Sequence, residues 1–587
     1  MLTHFTRVSY SGWTGLVFAA FIVLVVPMFA GSLWLSVLTS TACFALAIAG
    51  VSFLYARLGM VSLAQVGLMG LGGWVMLRFY FAFGLPFEVN LIIAGLITML
   101  CGMLLALPAL RMRGLFLALV TLMAAGGLEI VLATYQFPNG GEGFWGVQTG
   151  IEKMPRPGIA QSDSAYMRYV MIVATLGFVL IEMFRRMSTG RAWALIRRSE
   201  AAAMAAGVNV TAYKTIAFGL SGLLAGLAGG LLAGSLGLLD GGTFRASESI
   251  LLFALAVVGG ARYWLGVVIA AALFRILPAL LNNWGVDADL SYVIFGAGLL
   301  HAVITAPNGI AGQIIEAVSG RFARNAGAQA TANPPNIDGA ETQTSQDTQV
   351  EINDVTVRFG GVVALDTISA SFTAPVTGII GPNGAGKTTL MNVFSGLLTP
   401  ANGSVAVGAT QLSQMAPHMR SRVGLRRSFQ KEEIAEDLTV SENILVQIDQ
   451  TDNSFADRQS EVMRVLDIVG MAHKADTLGG DLNKFERRLT DFAKCIVGTP
   501  KLIMFDEPAG GLSQQETRVL GDLILSVHRL TGAQTLVIDH DVELITRICN
   551  ETLVLDFGKR IAFGPTNDVL EDPKVKAAYL GVEEVAA

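Results

Sequence analysis

A glycine-rich run at residues 381–389, Gly-Pro-Asn-Gly-Ala-Gly-Lys-Thr-Thr, carries the residue types that bind phosphate. Glycines in such a run let backbone N–H groups surround a phosphate, and a following helix adds the positive end of its dipole. The lysine can reach the β- and γ-phosphates of a nucleotide, and the first threonine can bind Mg²⁺. The run therefore predicts a site for a nucleoside triphosphate with Mg²⁺, formed by Gly381, Asn383, Gly384, Gly386, Lys387, Thr388 and Thr389.

Two carboxylates and a histidine follow apolar runs later in the chain. Asp506 and Glu507 end one such run, and His540 follows another. We expect Asp506 to hold Mg²⁺ through water, Glu507 to polarise the attacking water and His540 to sense the γ-phosphate. Gln430 lies between the glycine-rich run and the carboxylates, and this order assigns it a Mg²⁺ contact and a coupling role. Phe359 could stack on the adenine ring, although a role as a core aromatic fits the sequence equally well.

These side chains need a sheet to position them. A β-branched run at 376–380 precedes the glycine-rich run, and a helical segment begins at Leu390. Apolar runs at 502–506 and 535–538 predict further strands, which end where the carboxylates and the histidine begin. This strand–loop–helix order predicts an α/β P-loop NTPase domain at 350–587.

The first part of the chain has a different character. Of the 587 residues, 52% are hydrophobic and only 15% are charged, and mean hydropathy is +0.54. No charged residue occurs between Arg7 and Arg57, which two membrane helices joined by a tight turn would explain. The pattern predicts a polytopic α-helical membrane domain at 1–322 with about ten spans, at 13–29, 33–55, 60–77, 89–110, 115–135, 168–184, 213–239, 247–260, 264–282 and 290–306.

Charge distribution predicts how this domain is oriented. With a cytoplasmic N-terminus, the arginine clusters at 111–113, 185–198 and 321–324 all fall on the cytoplasmic side, as the positive-inside rule requires. Both termini are therefore expected to be cytoplasmic, in the inner membrane, with a flexible polar linker at 323–349. A net charge of −5 and a sequence without a basic tract give no indication of a nucleic-acid partner.

Two features inside the predicted spans have alternative explanations. The glycine-broken stretches 63–73 and 250–260 could mark the two halves of an inverted repeat with a translocation path between them, or could simply let helices pack closely. Glu129 lies in an otherwise apolar span. An intramembrane carboxylate can be functional, but a structural role in capping or pairing is the preferred interpretation.

The ordered motifs of the soluble part resemble the nucleotide-binding domain of ABC transporters over about 351–587. The resemblance implies that ATP is the nucleotide, and it implies a P-loop at 381–389, a Q-loop glutamine at Gln430, a Walker B pair at Asp506 and Glu507, a D-loop at 510–513 and a switch histidine at His540. The C-terminal stretch 563–581 resembles the ATPase subunits of branched-chain amino acid importers. The stretches 55–64, 107–114 and 190–207 resemble the permease of the same family, and the last of these resembles the cytoplasmic loop that docks on the ATPase. The resemblance implies a permease fused to its ATPase.

One motif departs from the ABC pattern. The signature Leu-Ser-Gly-Gly-Gln is replaced by the run 482–488, Leu-Asn-Lys-Phe-Glu-Arg-Arg. Asn483 can still cap a helix, but Phe485 replaces a glycine that permits close backbone approach, and Glu486 adds a negative charge near phosphates. Because ABC domains pair head to tail, we expect a different half-transporter with an intact signature as partner, in preference to a second copy of this chain.

Three functions are compatible with these observations. The first is ATP-driven import of a small amino-acid-like solute that a separate extracytoplasmic solute-binding protein delivers. The second keeps this architecture but imports urea, an amide or a small carboxylate. The third, suggested by Phe485, is a non-transporting, ATP-gated regulatory membrane subunit.

Overall fold

The computed structural model describes residues 26–112, 114–135, 153–286, 309–319, 349–450 and 454–580, and a few isolated positions between 290 and 305. The chain divides into two compact units. One comprises residues 1–186 and 211–328, and the other comprises residues 187–210 and 329–587. The second unit thus includes a short segment from within the predicted permease. Nearly all of the predicted linker lies outside the described residues.

The first unit is helical, and seven of its described helices are long and apolar enough to cross a membrane. These seven are α2, α3, α4, α5, α6, α9 and α11. The helices of residues 26–319, with the two that belong to the second unit included, are α1 (Val26–Phe29), α2 (Ser32–Leu58), α3 (Gln65–Phe83), α4 (Phe87–Ala109), α5 (Leu115–Tyr135), α6 (Asp163–Arg186), α7 (Ser188–Arg198), α8 (Glu200–Ala205), α9 (Val210–Leu236), α10 (Ala246–Gly259), α11 (Trp264–Asn283) and α12 (Gly309–Ser319), with a 3₁₀ turn at Gly241–Thr243.

Eight of the ten predicted spans correspond to described helices, while most of 13–29 and 290–306 lies outside the described residues. The predicted break between 247–260 and 264–282 is confirmed, because α10 ends at Gly259 and α11 begins at Trp264. The span predicted at 60–77 is displaced: α3 begins only at Gln65 and continues to Phe83. The preceding segment is not helical, and its Leu63 N–H donates to Thr121 Oγ1 of α5 at 2.9 Å.

Glycines in the first unit permit close helix packing. A Cβ added at Gly72 of α3 would lie 2.5 Å from Cα of Gly226 in α9, and one at Gly102 of α4 would lie 2.5 Å from the carbonyl oxygen of Phe218. The glycine-rich helix α9 therefore packs against both α3 and α4, which supports the packing interpretation for its glycines. A translocation path between the two glycine-broken stretches stays a prediction.

Glu129 has a structural role. Its Oε2 accepts a hydrogen bond of 2.7 Å from the N–H of Ala246, the first residue of α10. A carboxylate at this position satisfies an otherwise unpaired N–H and interacts favourably with the helix dipole. The capping interpretation is confirmed.

The second unit contains two sheets. An antiparallel sheet has the order β2-β1-β4-β5, and a mostly parallel sheet has the order β10-β9-β3-β8-β7-β6. The strands are β1 (Val350–Phe359), β2 (Val362–Phe372), β3 (Val376–Ile380), β4 (Asn402–Val407), β5 (Thr410–Gln411), β6 (Leu425–Ser428), β7 (Leu502–Asp506), β8 (Gln534–Ile538), β9 (Glu551–Asp556) and β10 (Lys559–Pro565).

The remaining helices of the second unit pack on its sheets or on one another. They are α13 (Lys387–Ser395), α14 (Pro417–Arg422), α15 (Val440–Ile448), α16 (Phe455–Ile468), α17 (Lys484–Ile496), α18 (Gln514–Thr531), α19 (Val542–Ile548), α20 (Thr566–Glu571) and α21 (Pro573–Leu580). Every residue of β3, β7 and β8 is buried, as expected for central strands of a parallel sheet.

The strand order explains how distant motifs meet. The strands β3, β8, β7 and β6 are neighbours and run parallel. Parallel neighbours end at the same edge of the sheet, which is where α/β proteins bind ligands. The glycine-rich run follows β3, His540 follows β8, Glu507 follows β7 and Gln430 follows β6.

Candidate functional site

The glycine-rich run forms the loop between β3 and α13. Gly386 is the N-cap of α13 with φ of 101°, and a Cβ there would lie 2.7 Å from the carbonyl oxygen of Ala364. Lys387 Nζ donates to the carbonyl oxygens of Gly381 at 2.7 Å and Pro382 at 2.9 Å. Burial lowers the pKa of Lys387, and the nearby carboxylates of Glu507 and Asp506 oppose that shift. The lysine is thus held across the loop.

The remaining predicted nucleotide-binding residues of this loop are accessible. Asn383, Gly384 and Thr388 are exposed, and Thr389 is half-buried. Thr388 is the second residue of α13, so its hydroxyl lies at the helix N-terminus, where the positive end of the helix dipole is located. The loop therefore presents both backbone N–H groups and a hydroxyl at its open side.

Glu507 joins the Q-loop and the switch histidine. Gln430 Nε2 donates to Glu507 Oε2 at 2.6 Å, and His540 Nε2 lies 2.8 Å from Glu507 Oε1. The backbone of Glu507 has φ of 49°, an uncommon conformation for a residue with a Cβ, and its N–H donates to Ile538 O at 2.7 Å. Such strained residues concentrate at functional sites. Glu507 is therefore in direct contact with both of the other residues predicted to be catalytic.

Asp506 is buried and paired with an arginine that the sequence analysis missed. Arg427 Nη2 donates to Asp506 Oδ2 at 3.1 Å, and the side chains are 2% and 6% exposed, respectively. Within the described part of the chain, Asp506 Oδ1 has no hydrogen-bond partner. The sequence does contain a signal for Arg427, because two adjacent arginines stand in the short buried strand β6.

Phe359 and the D-loop lie on two further loops. Phe359 ends β1 and is 51% exposed, so the interpretation as a core aromatic is wrong, while stacking on adenine stays a prediction. The D-loop ends at Ser513, which caps α18. The turn before it is held by Asp539, whose Oδ2 accepts from Ala509 N–H at 3.1 Å. Burial raises the pKa of Asp539, and hydrogen bonds from backbone N–H groups, Ala509 among them, oppose that shift.

The signature run begins α17, and Asn483 caps it as predicted. Asn483 Oδ1 accepts from Glu486 N–H at 2.9 Å, while Glu486 Oε2 accepts from Asn483 N–H at 3.1 Å. The charge of Glu486 is paired within the chain: its side chain is buried, and Lys474 Nζ lies 2.5 Å from its Oε1. That Glu486 lies near phosphates stays a prediction. Phe485 is half-buried and packs against the hydrophobic core.

The segment 187–210 contacts the ATPase through arginines of α7. Arg191 makes a bidentate ion pair with Asp449, with Nε–Oδ2 of 2.8 Å and Nη2–Oδ1 of 2.7 Å. Asp449 is the C-cap of α15 and also accepts from Arg458 Nη1 at 3.1 Å. Arg198 pairs with Glu433 at 3.0 Å. These contacts stay within the second compact unit and agree with the expected docking of this segment on the ATPase, although the local sequence pattern does not predict which residues pair.

The residues that follow Gln430 lie between this segment and the signature helix. Arg198 Nη2 donates to Glu432 O at 3.3 Å. From the other side, Arg488 of α17 donates to Phe429 O at 3.3 Å and to Gln430 O at 3.2 Å, and its Nη2 lies 2.8 Å from Glu432 Oε1. The backbone around Gln430 is therefore bound by both helices: α17 binds it at Phe429 and Gln430, and α7 binds it at Glu432.

Parallel-sheet topology and the motif order at its edge define an ABC-type ATPase, and comparisons with known proteins agree. Residues 33–303 match the family model described as branched-chain amino acid transport system, permease component. Residues 367–510 match the ABC transporter model. The chain belongs to the branched-chain amino acid transport family of ABC transporters, with permease and ATP-binding components fused in one chain. It is an ATPase whose hydrolysis is coupled to transport.

Similar proteins share the ATPase part. The high-affinity branched-chain amino acid transport ATP-binding protein LivG of Escherichia coli is 30% identical over 40% of this chain and 97% of LivG. BraF of Pseudomonas aeruginosa has the same identity and coverage. The lipopolysaccharide export system ATP-binding protein LptB of Acidithiobacillus ferridurans is also 30% identical, over 38% of this chain and 91% of LptB. A solved nucleotide-free cassette from an ABC transporter is 26% identical over 40% of this chain, with a TM-score of 0.36.

Proposed function

We propose that the chain imports a small amino-acid-like solute, of the hydrophobic amino acid class, by ATP hydrolysis. The observation that carries the proposal is the seating of the permease-derived segment 187–210 on the ATPase through the buried ion pair of Arg191 and Asp449. The segment belongs to the sequence that matches the branched-chain amino acid permease model, so this contact links the ATPase to the permease sequence. The printed functions of LivG and BraF support the solute class.

Mg²⁺ fits the donor set at the sheet edge. Thr388 offers a hydroxyl at the start of α13, Gln430 offers an amide oxygen, and Asp506 offers Oδ1, which no described group occupies. Hydroxyl, amide and carboxylate oxygens are the ligands that Mg²⁺ prefers. When bound with ATP, Mg²⁺ would neutralise charge on the β- and γ-phosphates.

The chain's own residues have distinct roles in hydrolysis. The backbone N–H groups of 381–389 and the Lys387 ammonium bind the phosphates, which requires Lys387 to leave its carbonyl partners in the loop. Glu507 accepts the proton of the attacking water as general base. Gln430 and His540 both contact Glu507, and the approach of ATP lets each exchange that contact for one to the nucleotide.

Motion at Gln430 has a short path to the permease segment. Glu432 and Glu433 follow Gln430 directly and are bound by Arg198 of α7. Displacement of Gln430 toward a nucleotide therefore pulls on α7, while Arg191 keeps the same helix anchored to Asp449. We propose that this leverage couples hydrolysis to the spans.

The proposed assembly has further components. A second half-transporter with an intact signature supplies the other face of the ATP site that contains Lys387, and an extracytoplasmic solute-binding protein delivers the solute. The chain lies in the inner membrane with both termini cytoplasmic, as the arginine clusters predict. The observation that favours a different partner is Phe485, which is half-buried and packs against the core where the ABC signature has a glycine.

Uptake measurements test the import proposal. Cells expressing the chain with its partner proteins are given labelled leucine, and Glu507→Gln is compared with the parent. We expect accumulation that Glu507→Gln abolishes and that an excess of valine competes away. The matched control is Glu571→Gln, an exposed glutamate of α20, which should accumulate leucine normally. If uptake depends on Glu507 but only urea, an amide or a small carboxylate competes, the amino-acid solute is rejected in favour of that class, and the proposed architecture stands.

Dimerisation tests the partner proposal. The detergent-purified Glu507→Gln variant is incubated with Mg²⁺ and ATP. Because this variant lacks the general base, it should not hydrolyse the bound ATP, and an ATP-bound dimer should therefore not dissociate. We expect this chain alone to stay monomeric by light scattering and to dimerise once its partner chain is added. A stable ATP-dependent homodimer would overturn the heterodimer proposal.

The replaced signature also favours a second candidate function, a regulatory membrane subunit without transport. It predicts ATP binding without solute-stimulated hydrolysis. Solute-stimulated phosphate release in proteoliposomes that also contain the binding protein distinguishes the two, since import requires the stimulation and regulation does not.

A further inference from the structure

Strand β6 carries two adjacent buried arginines that are matched in chemistry but differ in surroundings. Successive side chains of a strand point to opposite faces. Arg426 Nη1 donates to Ser421, through its hydroxyl oxygen at 3.1 Å and its carbonyl oxygen. Arg427 instead contacts groups that belong to the nucleotide motifs. The pair therefore provides an internal comparison at one strand.

Arg427 joins two elements of the nucleotide site. Its Nη2 donates to Asp506 Oδ2 at 3.1 Å, at the end of β7. Its Nη1 donates to Asn392 Oδ1 at 2.7 Å and to Ser395 Oγ at 3.0 Å, both on α13, the helix that begins at Lys387. The guanidinium also lies over the ring of Phe429 at 4.7 Å, one residue before Gln430.

This arrangement fixes more than charge. A guanidinium is a rigid fork, so its bonds to α13 and to Asp506 set the distance and angle between the helix and the carboxylate. Both side chains are almost fully buried, so water cannot replace these contacts at low cost. Because Oδ2 is occupied by Arg427, the oxygen left for a metal or its water is Oδ1.

We infer that Arg427 is a positioning residue for Mg²⁺: it fixes the Asp506 carboxylate against the P-loop helix so that Oδ1 serves the metal of the bound nucleotide. The inference rests on the Mg²⁺ site proposed above. Groups that orient a metal ligand from behind typically change metal affinity by 10–100-fold when altered. Arg427 stands in that relation to Asp506.

The test measures Mg²⁺ binding rather than turnover. The full chain is purified in detergent in the Glu507→Gln background, and binding of a fluorescent ATP analogue is titrated without Mg²⁺ and over a Mg²⁺ series. The variant is Arg427→Lys, which keeps the positive charge but cannot bond α13 and Asp506 at the same time. We expect its Mg²⁺ concentration for half-maximal effect to rise about tenfold, with binding of the metal-free nucleotide little changed.

Arg426→Lys is the matched control, since it makes the same change one residue away, and its Mg²⁺ dependence should equal that of the parent. The double variant Asn392→Ala with Ser395→Ala tests the inference without touching either charge, and it covers the case in which Arg427→Lys does not fold. Its expected shift is smaller, about two- to fivefold, because the guanidinium keeps its bond to Asp506 and loses only its two acceptors on α13.

Three results would overturn the inference: an unchanged Mg²⁺ dependence in the folded variants, an equal shift in Arg426→Lys, or an equal loss of metal-free nucleotide binding. A parent protein that binds the nucleotide without any effect of Mg²⁺ would instead overturn the metal site of the proposed function, and the inference with it. A parent that shows the Mg²⁺ effect but no leucine uptake would leave the inference standing and reject the proposed solute.

Discussion

The ATPase contains two regions whose charged residues are used differently. The sheet region comprises residues 350–430 and 498–580. The edge of its parallel sheet carries the P-loop and the contacts of Glu507 with Gln430 and His540. The helical region comprises residues 431–497. It contains the signature run and the residues that α7 contacts, Asp449 and Glu433 among them. In the sheet region the contacts of Glu507 are partly exposed, with His540 46% exposed, and can be exchanged for contacts to a nucleotide.

In the helical region, the charged residues beside the signature run and the α7 contact form largely buried pairs, as Arg427 and Asp506 also do in the sheet region. Glu486 is paired with Lys474, Arg488 with Glu432, and Asp449 with Arg191. Buried pairs are expensive to break, because removing one partner leaves an unpaired charge out of water. Residues of the run 482–488 are thus held by internal ion pairs and core contacts, whereas Glu507 in the sheet region has partly exposed contacts that a nucleotide can exchange.

The largest expected effect is in the sheet region. Glu507→Gln should lower ATP hydrolysis by the partner-complexed chain about 100-fold or more, because a general base contributes 10²–10⁴-fold. Phosphate release measures the rate, and retained binding of a fluorescent ATP analogue shows that the site is intact. Glu571→Gln should hydrolyse ATP at the parent rate. A Glu507→Gln rate above about a tenth of the parent's would remove Glu507 from the role of base.

A smaller but still large effect is expected at the seat of α7. Arg191→Met should break a buried bidentate pair, a change that costs about 3–5 kcal/mol when one partner is removed. We expect leucine uptake per ATP hydrolysed in proteoliposomes to fall severalfold, while ATP binding stays unchanged because the sheet region is untouched.

The control for this effect is Arg197→Met on the same helix. Arg197 lies 3.6 Å from Asp437 and is 30% exposed, so its pair should contribute less than about 1 kcal/mol. The double variant of Arg191→Met with Asp449→Asn should cost less than the sum of the single changes, as residues in direct contact do. Additive losses, or equal losses in Arg197→Met, would show that Arg191 is not the anchor.

Local motifs predicted much of this molecule. The P-loop, the Walker B pair and the cap at Asn483 each depend on a few consecutive residues. The strands lie where the sequence places them, and the helix after the glycine-rich run begins at Lys387, before the predicted start at Leu390. The cap that Glu129 makes agrees with the structural role, capping or pairing, that the sequence analysis prefers over a functional one.

Contacts between distant residues could not be predicted. The contact of Glu507 with Gln430 and His540 requires the strand order β8-β7-β6, which no local pattern specifies. The pairing of Glu486 with Lys474, which lies 12 residues earlier, is not visible in the signature run itself. Before α3, the N–H of Leu63 donates to Thr121 of another helix, a contact that no local pattern indicates. In each case a tertiary partner decides what a residue does.

The last prediction concerns helix caps, which occur in both regions and should have the weakest effect. Asn483 caps α17 in the helical region and Ser513 caps α18 in the sheet region, each in a reciprocal pair with a glutamate three residues later. Asn483→Ala and Ser513→Ala should each lower stability by about 1 kcal/mol, and Asn483→Gly by only a few tenths. Thermal unfolding of the full chain, followed by intrinsic fluorescence, measures the shift.

Binding then separates structure from function at the signature run. Because Asn483 is exposed and its cap lies outside the sheet region, Asn483→Ala should leave Mg²⁺-dependent ATP binding by this chain unchanged. A loss of that binding would mean that the signature run supports the chain's own nucleotide site, and the division into two regions would fail. An unchanged melting temperature in Asn483→Ala beside a lowered one in Ser513→Ala would show instead that α17 is held by its buried ion pairs, with the cap contributing little.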